Sequence, residues 1–211
     1  MERGVSFKSG GLTLEGVLHV PSGVRRAPAV VVCHPHPLYG GSMHNPVVVE
    51  VCRSLEVSGL AALRFNFRGV GASEGSYGGG VGEVEDVRAA LDFLSSVESP
   101  EPSGLGLAGY SFGAHVAAHA AAQDPRVGAL ALISPPLAMY DFGLLRGFDR
   151  PKLAVWGDLD ELVGATPEEV ANVVGEPRRL VLVKGADHFW AGREGEVGSI
   201  VAAFLKEALR G

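Results

Sequence analysis

The sequence predicts an α/β fold, with a mostly parallel central sheet flanked by helices on both faces. Short apolar runs that suit buried strands alternate along the chain with segments of helical periodicity, which is the pattern of parallel strands joined by crossover helices. The length of 211 residues and the hydrophobic content of 46% suit one well-packed domain. Since no repeat or linker divides the chain, we expect a single domain over residues 1–211.

The strands are predicted from the apolar runs. Residues 29–33 form a continuous apolar run, which is typical of a strand buried on both faces. Residues 12–20 alternate between apolar and polar positions, so they suit an edge strand with one face in water. The other predicted strands are residues 60–65, 104–109, 127–133, 153–156 and 180–183.

The helices are predicted from periodicity and capping residues. Asn45 and Pro46 suit the N-cap and first position of a helix that Gly59 ends. Thr166 and Glu169 suit a capping box. The other predicted helices are an apolar stripe from Val84 to Leu94, an alanine-rich segment at 111–123 and an amphipathic stretch at 197–205. The glycine-rich residues 69–82 have no period and are predicted to be a loop.

Composition and charge exclude several function classes. The net charge is -6 and no basic cluster stands out, so we expect no nucleic-acid partner and no anionic membrane partner. No apolar run reaches membrane-spanning length, and the first residues lack the apolar core of a secretory signal. We therefore expect a cytoplasmic protein, in which Cys33 and Cys52 are buried thiols rather than a disulfide.

A G-x-S-x-G pattern stands between a predicted buried strand and a predicted helix. Residues 109–113 read GYSFG, and in this context the pattern is typical of a nucleophilic serine on a sharp turn. The turn exposes the Ser111 hydroxyl and places the Phe112 N–H at a helix N-terminus, where it can stabilise an oxyanion. The alternative is a glycine-bounded turn in which Ser111 is only a cap.

Two later strands run into loops that carry a candidate acid and a candidate base. The loops read GDLDELV at residues 157–163 and KGADHFW at residues 184–190. Loops at the carboxyl ends of parallel strands share one edge of the sheet, and the order serine, acid, histidine suits a triad. We expect His188 to be the general base, since its pKa allows it to take and return a proton; the alternative is a solvated loop histidine.

Three aspartates compete for the role of the acid. Asp160 lies further into its loop than Asp158 and can turn toward the imidazole, so we favour Asp160. Asp187 is adjacent to His188 and should point away from the ring nitrogen that needs orienting.

A second oxyanion donor is expected from the loop that follows the 29–33 strand. Pro35 and Pro37 have no N–H to donate. The His36 N–H is the favoured donor, with Leu38 or Tyr39 next.

No cofactor or metal is expected. His34 and His36 form H-x-H, and His115 and His119 lie four apart on a helix, but neither pair has a carboxylate at metal-site spacing. We expect these histidines to have packing or supporting roles.

The chain resembles the α/β-hydrolase superfamily over nearly its whole length, and in particular its small, capless bacterial serine hydrolases. Residues 68–75 (RGVGASEG) resemble the loop after the family's fourth strand, and residues 34–41 (HPHPLYGG) resemble a segment of the capless members. The resemblance implies a triad of Ser111, Asp160 and His188, with backbone donors at Phe112 and His36. One departure is His34-Pro35, where many relatives have His-Gly.

The expected activity is cleavage of a small-molecule ester through an acyl-enzyme on Ser111, as in a carboxylesterase. Residues 135–151 are too few for a cap domain, so short-chain esters are favoured. The apolar residues of this segment suit either core packing or a flap beside the serine.

The expected substrate contacts are Leu38, Tyr39, Met139, Tyr140 and Trp190. The alternatives are a thioesterase or peptidase with the same triad, or a ligand-binding protein without turnover.

Overall fold

The computed structural model describes residues 1–210, in which eight strands form one mixed sheet. The strands are β1 (Glu2–Ser9), β2 (Leu12–His19), β3 (Arg26–Cys33), β4 (Ala61–Phe65), β5 (Glu101–Tyr110), β6 (Val127–Ile133), β7 (Lys152–Gly157) and β8 (Arg178–Val183). Their order across the sheet is β1-β2-β4-β3-β5-β6-β7-β8. In this order, every pair of neighbouring strands from β4 through β3 to β8 is parallel. Strand β2 is antiparallel to both of its neighbours, β1 and β4. The predicted mostly parallel sheet is therefore confirmed.

Helices cover both faces of the sheet, as the sequence predicts. They are α1 (Pro46–Val57), α2 (Val81–Ser95), α3 (Phe112–Gln123), α4 (Pro167–Val174) and α5 (Glu194–Ala208). Helices α1 and α5 supply the apolar core on one face, and α2, α3 and α4 supply the core on the other. None of the helices in residues 1–210 is long and apolar enough to cross a bilayer.

Strand β3 shows why the central strands have continuous apolar runs. Its Val31 and Cys33 belong to the core under α2 and α3, whereas Val30 and Val32 belong to the core under α1 and α5. Because successive side chains of a strand point to opposite faces, a sheet covered on both sides needs apolar residues at every position. Cys33 and Cys52 are both buried, unpaired thiols, and burial raises the pKa of each.

The prediction that residues 12–20 form an edge strand is wrong. Strand β2 lies between β1 and β4, and β1 is the edge. The sequence of β1 hides this strand because most of its side chains face water, with only Phe7 and Ser9 buried.

The segment 135–151 contributes mainly to the core. Phe142, Leu145 and Phe148 are buried in the cluster beneath α3 and α4, around a short 3₁₀ helix at Gly143–Gly147. This favours core packing over a flap for these residues. Within residues 1–210 no separate domain covers the carboxyl edge of the sheet, where the candidate residues lie.

Candidate active site

Ser111 sits on a sharp turn between β5 and α3. Its φ is 56°, a conformation that a residue with a side chain rarely adopts and that a fixed surrounding must hold. A Cβ on Gly109 would lie 2.2 Å from the Gly113 carbonyl oxygen, and a Cβ on Gly113 would lie 2.4 Å from the Cys33 carbonyl oxygen. The two glycines of the motif are thus required by close backbone packing, which turns the serine side chain out of the sheet.

Loops after β7 and β8 bring an acid and a base to this serine. The Nε2 atom of His188 is 2.9 Å from Ser111 Oγ, and its Nδ1 atom is 2.8 Å from Asp160 Oδ1. The three side chains form one hydrogen-bonded line, in which His188 and Asp160 are largely buried. With Nδ1–H donated to the carboxylate, the lone pair of Nε2 faces the serine hydroxyl, as general-base catalysis requires.

The Asp160 carboxylate is held in its ionised form. Burial alone would raise the pKa of this carboxyl group. Its interactions with His188, the Ser134 hydroxyl and the Val163 N–H lower the pKa by more, so the pKa lies below the usual range. Its Oδ1 also accepts from the Leu162 N–H at 3.1 Å. An ionised carboxylate is the form that orients the imidazole and stabilises an imidazolium.

The two competing aspartates are engaged elsewhere. Asp158 is exposed and accepts a hydrogen bond from the Gly185 N–H, which ties the two loops together. Asp187 accepts from the N–H groups of Phe189 and Trp190 at 3.0 and 2.9 Å, so it stabilises its own turn. The geometry therefore joins Asp160, and neither competitor, to His188.

The backbone N–H groups of His36 and Phe112 are among those near the serine that have no acceptor within residues 1–210. The Phe112 N–H lies in the first turn of α3, where the helix dipole favours negative charge. The alternative donors are occupied, since the Leu38 N–H donates to His36 Nδ1 and the Tyr39 N–H donates to the His36 carbonyl oxygen.

Buried His34 holds the peptide that carries the His36 N–H. Its Nδ1 lies 2.6 Å from the Pro35 carbonyl oxygen, and its Nε2 accepts from the Phe67 N–H at 3.1 Å. Burial lowers the pKa of His34 to about 4, so the ring is neutral and can donate from Nδ1 while it accepts at Nε2. Because the N–H and C=O of a trans peptide point in opposite directions, fixing the Pro35 carbonyl also fixes the His36 N–H.

A cavity of about 340 Å³ opens beside Ser111 and His188. Among the predicted substrate contacts, Tyr39 lines it. Five further side chains at its wall were not predicted to contact substrate: Pro35, Asn45, Tyr110, Leu162 and Phe189. Of these, Phe189 had a sequence signal, because it directly follows the candidate base.

Comparisons with known proteins show the family to which the chain belongs. A family model described as serine aminopeptidase, S33, matches residues 26–187. An α/β serine hydrolase homologue from Coxiella burnetii has a solved structure that is 36% identical, covers 95% of this chain and 96% of its own, and has a TM-score of 0.84. The chain is an α/β serine hydrolase.

Two further relatives extend the comparison. The hydrolase is 32% identical to a solved α/β serine hydrolase without a lid from Xanthomonas campestris, with 100% of this chain and 96% of that chain covered and a TM-score of 0.85. It is also 36% identical to an uncharacterized protein of Rickettsia prowazekii over 188 residues, which are 85% of this chain and 79% of that protein.

The expectation that Trp190 contacts substrate is corrected by the structure. Trp190 is fully buried, and its indole Nε1 donates to Ser134 Oγ at 3.0 Å. Its φ of 59° reverses the chain at this point, so that the neighbouring Phe189 faces the cavity instead.

Three other expected contacts lie outside the cavity wall of the hydrolase. Leu38 and Met139 are exposed, but neither lines the cavity. Tyr140 stacks on His115 with ring centroids 4.5 Å apart and meets the edge of Phe112. Tyr140 therefore supports the helix that carries the serine and does not contact the cavity.

The histidine pairs have packing roles in this structure. The rings of His115 and His119 meet edge to face, with centroids 4.5 Å apart, and burial lowers the pKa of His115 to about 4. His36 accepts from the Leu38 N–H at Nδ1, and its Nε2 lies 3.2 Å from the Tyr77 hydroxyl. Within residues 1–210, no group of three or more His, Cys, Asp or Glu side chains is placed to hold a metal ion.

Proposed function

We propose that this hydrolase is a carboxylesterase that cleaves short-chain esters through an acyl-enzyme on Ser111. The observation that carries the proposal is the hydrogen-bonded line from Asp160 through His188 to Ser111, with two unpaired backbone N–H groups beside the serine. A nucleophile, a base, an orienting carboxylate and oxyanion donors are the parts that acyl transfer requires.

The proposed reaction has two halves. His188 Nε2 takes the proton of Ser111 as Oγ attacks the ester carbonyl, and the same proton then passes to the alcohol oxygen as its bond to the acyl carbon breaks. Water next attacks the acyl-enzyme while His188 takes its proton, and that proton returns to Ser111 Oγ as the acid leaves. The N–H groups of His36 and Phe112 bind the oxyanion in each half.

The cavity favours a small, neutral substrate. Its volume of about 340 Å³ lies at the small end of ligand pockets in proteins, and residues 1–210 form no cap domain that would extend it. None of the residues that line it is an aspartate or a glutamate. An aminopeptidase needs a partner for the substrate's ammonium group, so this wall supports an ester over a peptide with a free N-terminus.

A fluorophosphonate probe tests the proposal directly. We expect it to label the wild type and not the Ser111→Ala variant, because labelling requires an activated serine. The variant should also lose turnover of p-nitrophenyl acetate by at least about 1,000-fold while unfolding cooperatively like the wild type. A protein that is folded but neither labelled nor active on any short ester is a ligand-binding member of the fold, and the proposal is then wrong.

A further inference from the structure

We propose that Phe189 and Leu162 bind the alcohol half of the ester, and that this alcohol is apolar. The inference rests on the proposed function, and it assigns the alcohol half of the substrate to one side of the cavity. It makes Phe189 the main specificity residue for the leaving group.

The position of the leaving group follows from the proton it must receive. The alcohol oxygen takes its proton from His188 Nε2, so at that moment it has to lie within hydrogen-bonding reach of this atom. The carbonyl oxygen must at the same time lie against the N–H groups of His36 and Phe112. The alcohol therefore leaves on the His188 side of the cavity.

Phe189 is an exposed aromatic side chain on this side of the cavity. Its ring stands at 90° to the His188 ring, with centroids 5.7 Å apart, and it lines the same cavity as Ser111. It is nevertheless 70% exposed. An aromatic ring held open beside a catalytic base, at the cavity wall, offers apolar surface that a bound group can cover.

The exposure of Phe189 is fixed by its turn. Its N–H and that of Trp190 both donate to Asp187 Oδ1, and the buried Trp190 anchors the turn in the core. The backbone that carries the ring is therefore held in place beside the cavity, and no rearrangement of this turn is needed when a ligand covers the ring.

Leu162 completes the apolar wall. Leu162 lies in the same loop as Asp160, and its N–H donates to the Asp160 carboxylate at 3.1 Å. It also lines the cavity, and it is 41% exposed. The two apolar side chains thus come from the loops of the acid and of the base, on the side where the alcohol departs.

Acetates with different alcohols test the assignment, because their acyl group is constant. Ethyl, butyl and 2-phenylethyl acetate have leaving alcohols of similar pKa, so differences in kcat/KM report binding of the alcohol. We expect the wild type to prefer 2-phenylethyl over ethyl acetate by about tenfold or more in kcat/KM. Phe189→Ala should reduce this ratio about tenfold, and Leu162→Ala should reduce it by less.

Two further variants make the result specific. Phe189→Leu retains an apolar side chain and should keep most of the preference. Leu182→Ala removes an exposed leucine of β8 that does not line the cavity, and it should leave the ratio as in the wild type.

The outcomes separate this inference from the proposed function. A wild type that is labelled by fluorophosphonate and hydrolyses acetates with no preference among alcohols overturns the inference alone. An equal loss for ethyl and 2-phenylethyl acetate in Phe189→Ala overturns it as well, because that loss reflects damage to His188 and not alcohol binding. Absence of Ser111-dependent labelling and turnover overturns the proposed function itself.

Discussion

The indole N–H of Trp190 donates to the hydroxyl oxygen of Ser134 at 3.0 Å, and both side chains are fully buried. Ser134 stands at the end of β6 with a φ of 46°, and its hydroxyl helps to keep the pKa of Asp160 low. Trp190 thus orients a hydroxyl that supports the acid of the proposed triad. Trp190, which was expected from the sequence to contact substrate, therefore acts on Asp160 through Ser134.

Ser134→Ala tests this support. Ser134→Ala removes a hydroxyl that helps to keep the pKa of Asp160 low, so we expect kcat to fall about tenfold at pH 8. Without this contact the pKa of Asp160 rises, so more of the carboxyl is protonated in acid. The loss relative to wild type should therefore be larger at pH 5 than at pH 8. Ser95→Ala, which removes a hydroxyl bonded to the Leu91 carbonyl oxygen of α2, is the control, and a loss independent of pH contradicts the expectation.

The two aspartates after β7 give a second prediction. Asp160→Asn leaves a neutral amide against His188 and disfavours the productive tautomer, so we expect kcat to fall by about 10³–10⁴-fold. Asp158→Asn removes only the charge of an exposed group bonded to the Gly185 N–H and should cost less than about fivefold. Steady-state kinetics of the two variants on p-nitrophenyl acetate decide the matter. If Asp158→Asn is the more damaging change, Asp158 is the acid.

The sequence predicted those parts of the fold whose signal is local. Strand β3 is apolar from Ala29 to Cys33 because both of its faces are buried there, and this is visible in the residues themselves. The edge strand β1 is mostly exposed, and only its pairing with β2 defines it. This strand could not be predicted from its own residues, because it is defined by its backbone pairing with β2.

The same distinction applies to the candidate site. The turn at Ser111 is encoded by its two flanking glycines, so its place between strand and helix could be predicted. Phe189 and Trp190 are adjacent aromatic residues, and the backbone conformation of Trp190, with its φ of 59°, decides which of them is buried. The burial of Trp190 involves its contact with Ser134, a residue far from it in the sequence, so it could not be inferred from the local pattern.

Buried His34 makes the stability of the hydrolase depend on pH. Burial lowers its pKa from 6.5 to about 4, so between these values the unfolded chain binds a proton that the folded chain does not. The free energy of unfolding should therefore fall as the pH falls from 6.5 toward 4, with His34 contributing roughly 3 kcal/mol of that fall. Urea denaturation over this range should show a shallower slope for His34→Gln than for the wild type. His44→Gln, at an exposed position, is the matched control, and equal slopes for the wild type and His34→Gln contradict the assignment.

The last prediction concerns the acyl half of the substrate. The cavity beside Ser111 is about 340 Å³, and the large apolar side chains of segment 135–151 that could have deepened it, Phe142, Leu145 and Phe148, are committed to the core. Each acyl methylene that stays in water forgoes about 0.8 kcal/mol of binding. Specificity, as kcat/KM on p-nitrophenyl esters, should therefore rise over the first few acyl carbons and then level off.

Met139 is the residue that could extend the acyl site, since it is 57% exposed in the same segment. If a long chain lay along it, Met139→Ala would lower kcat/KM for the decanoate and leave the acetate unaffected. We expect the variant to match the wild type on both esters, because Met139 does not line the cavity. A kcat/KM that continues to rise through ten acyl carbons, and that falls with Met139→Ala, would replace the short-chain preference with a surface groove for long acyl chains.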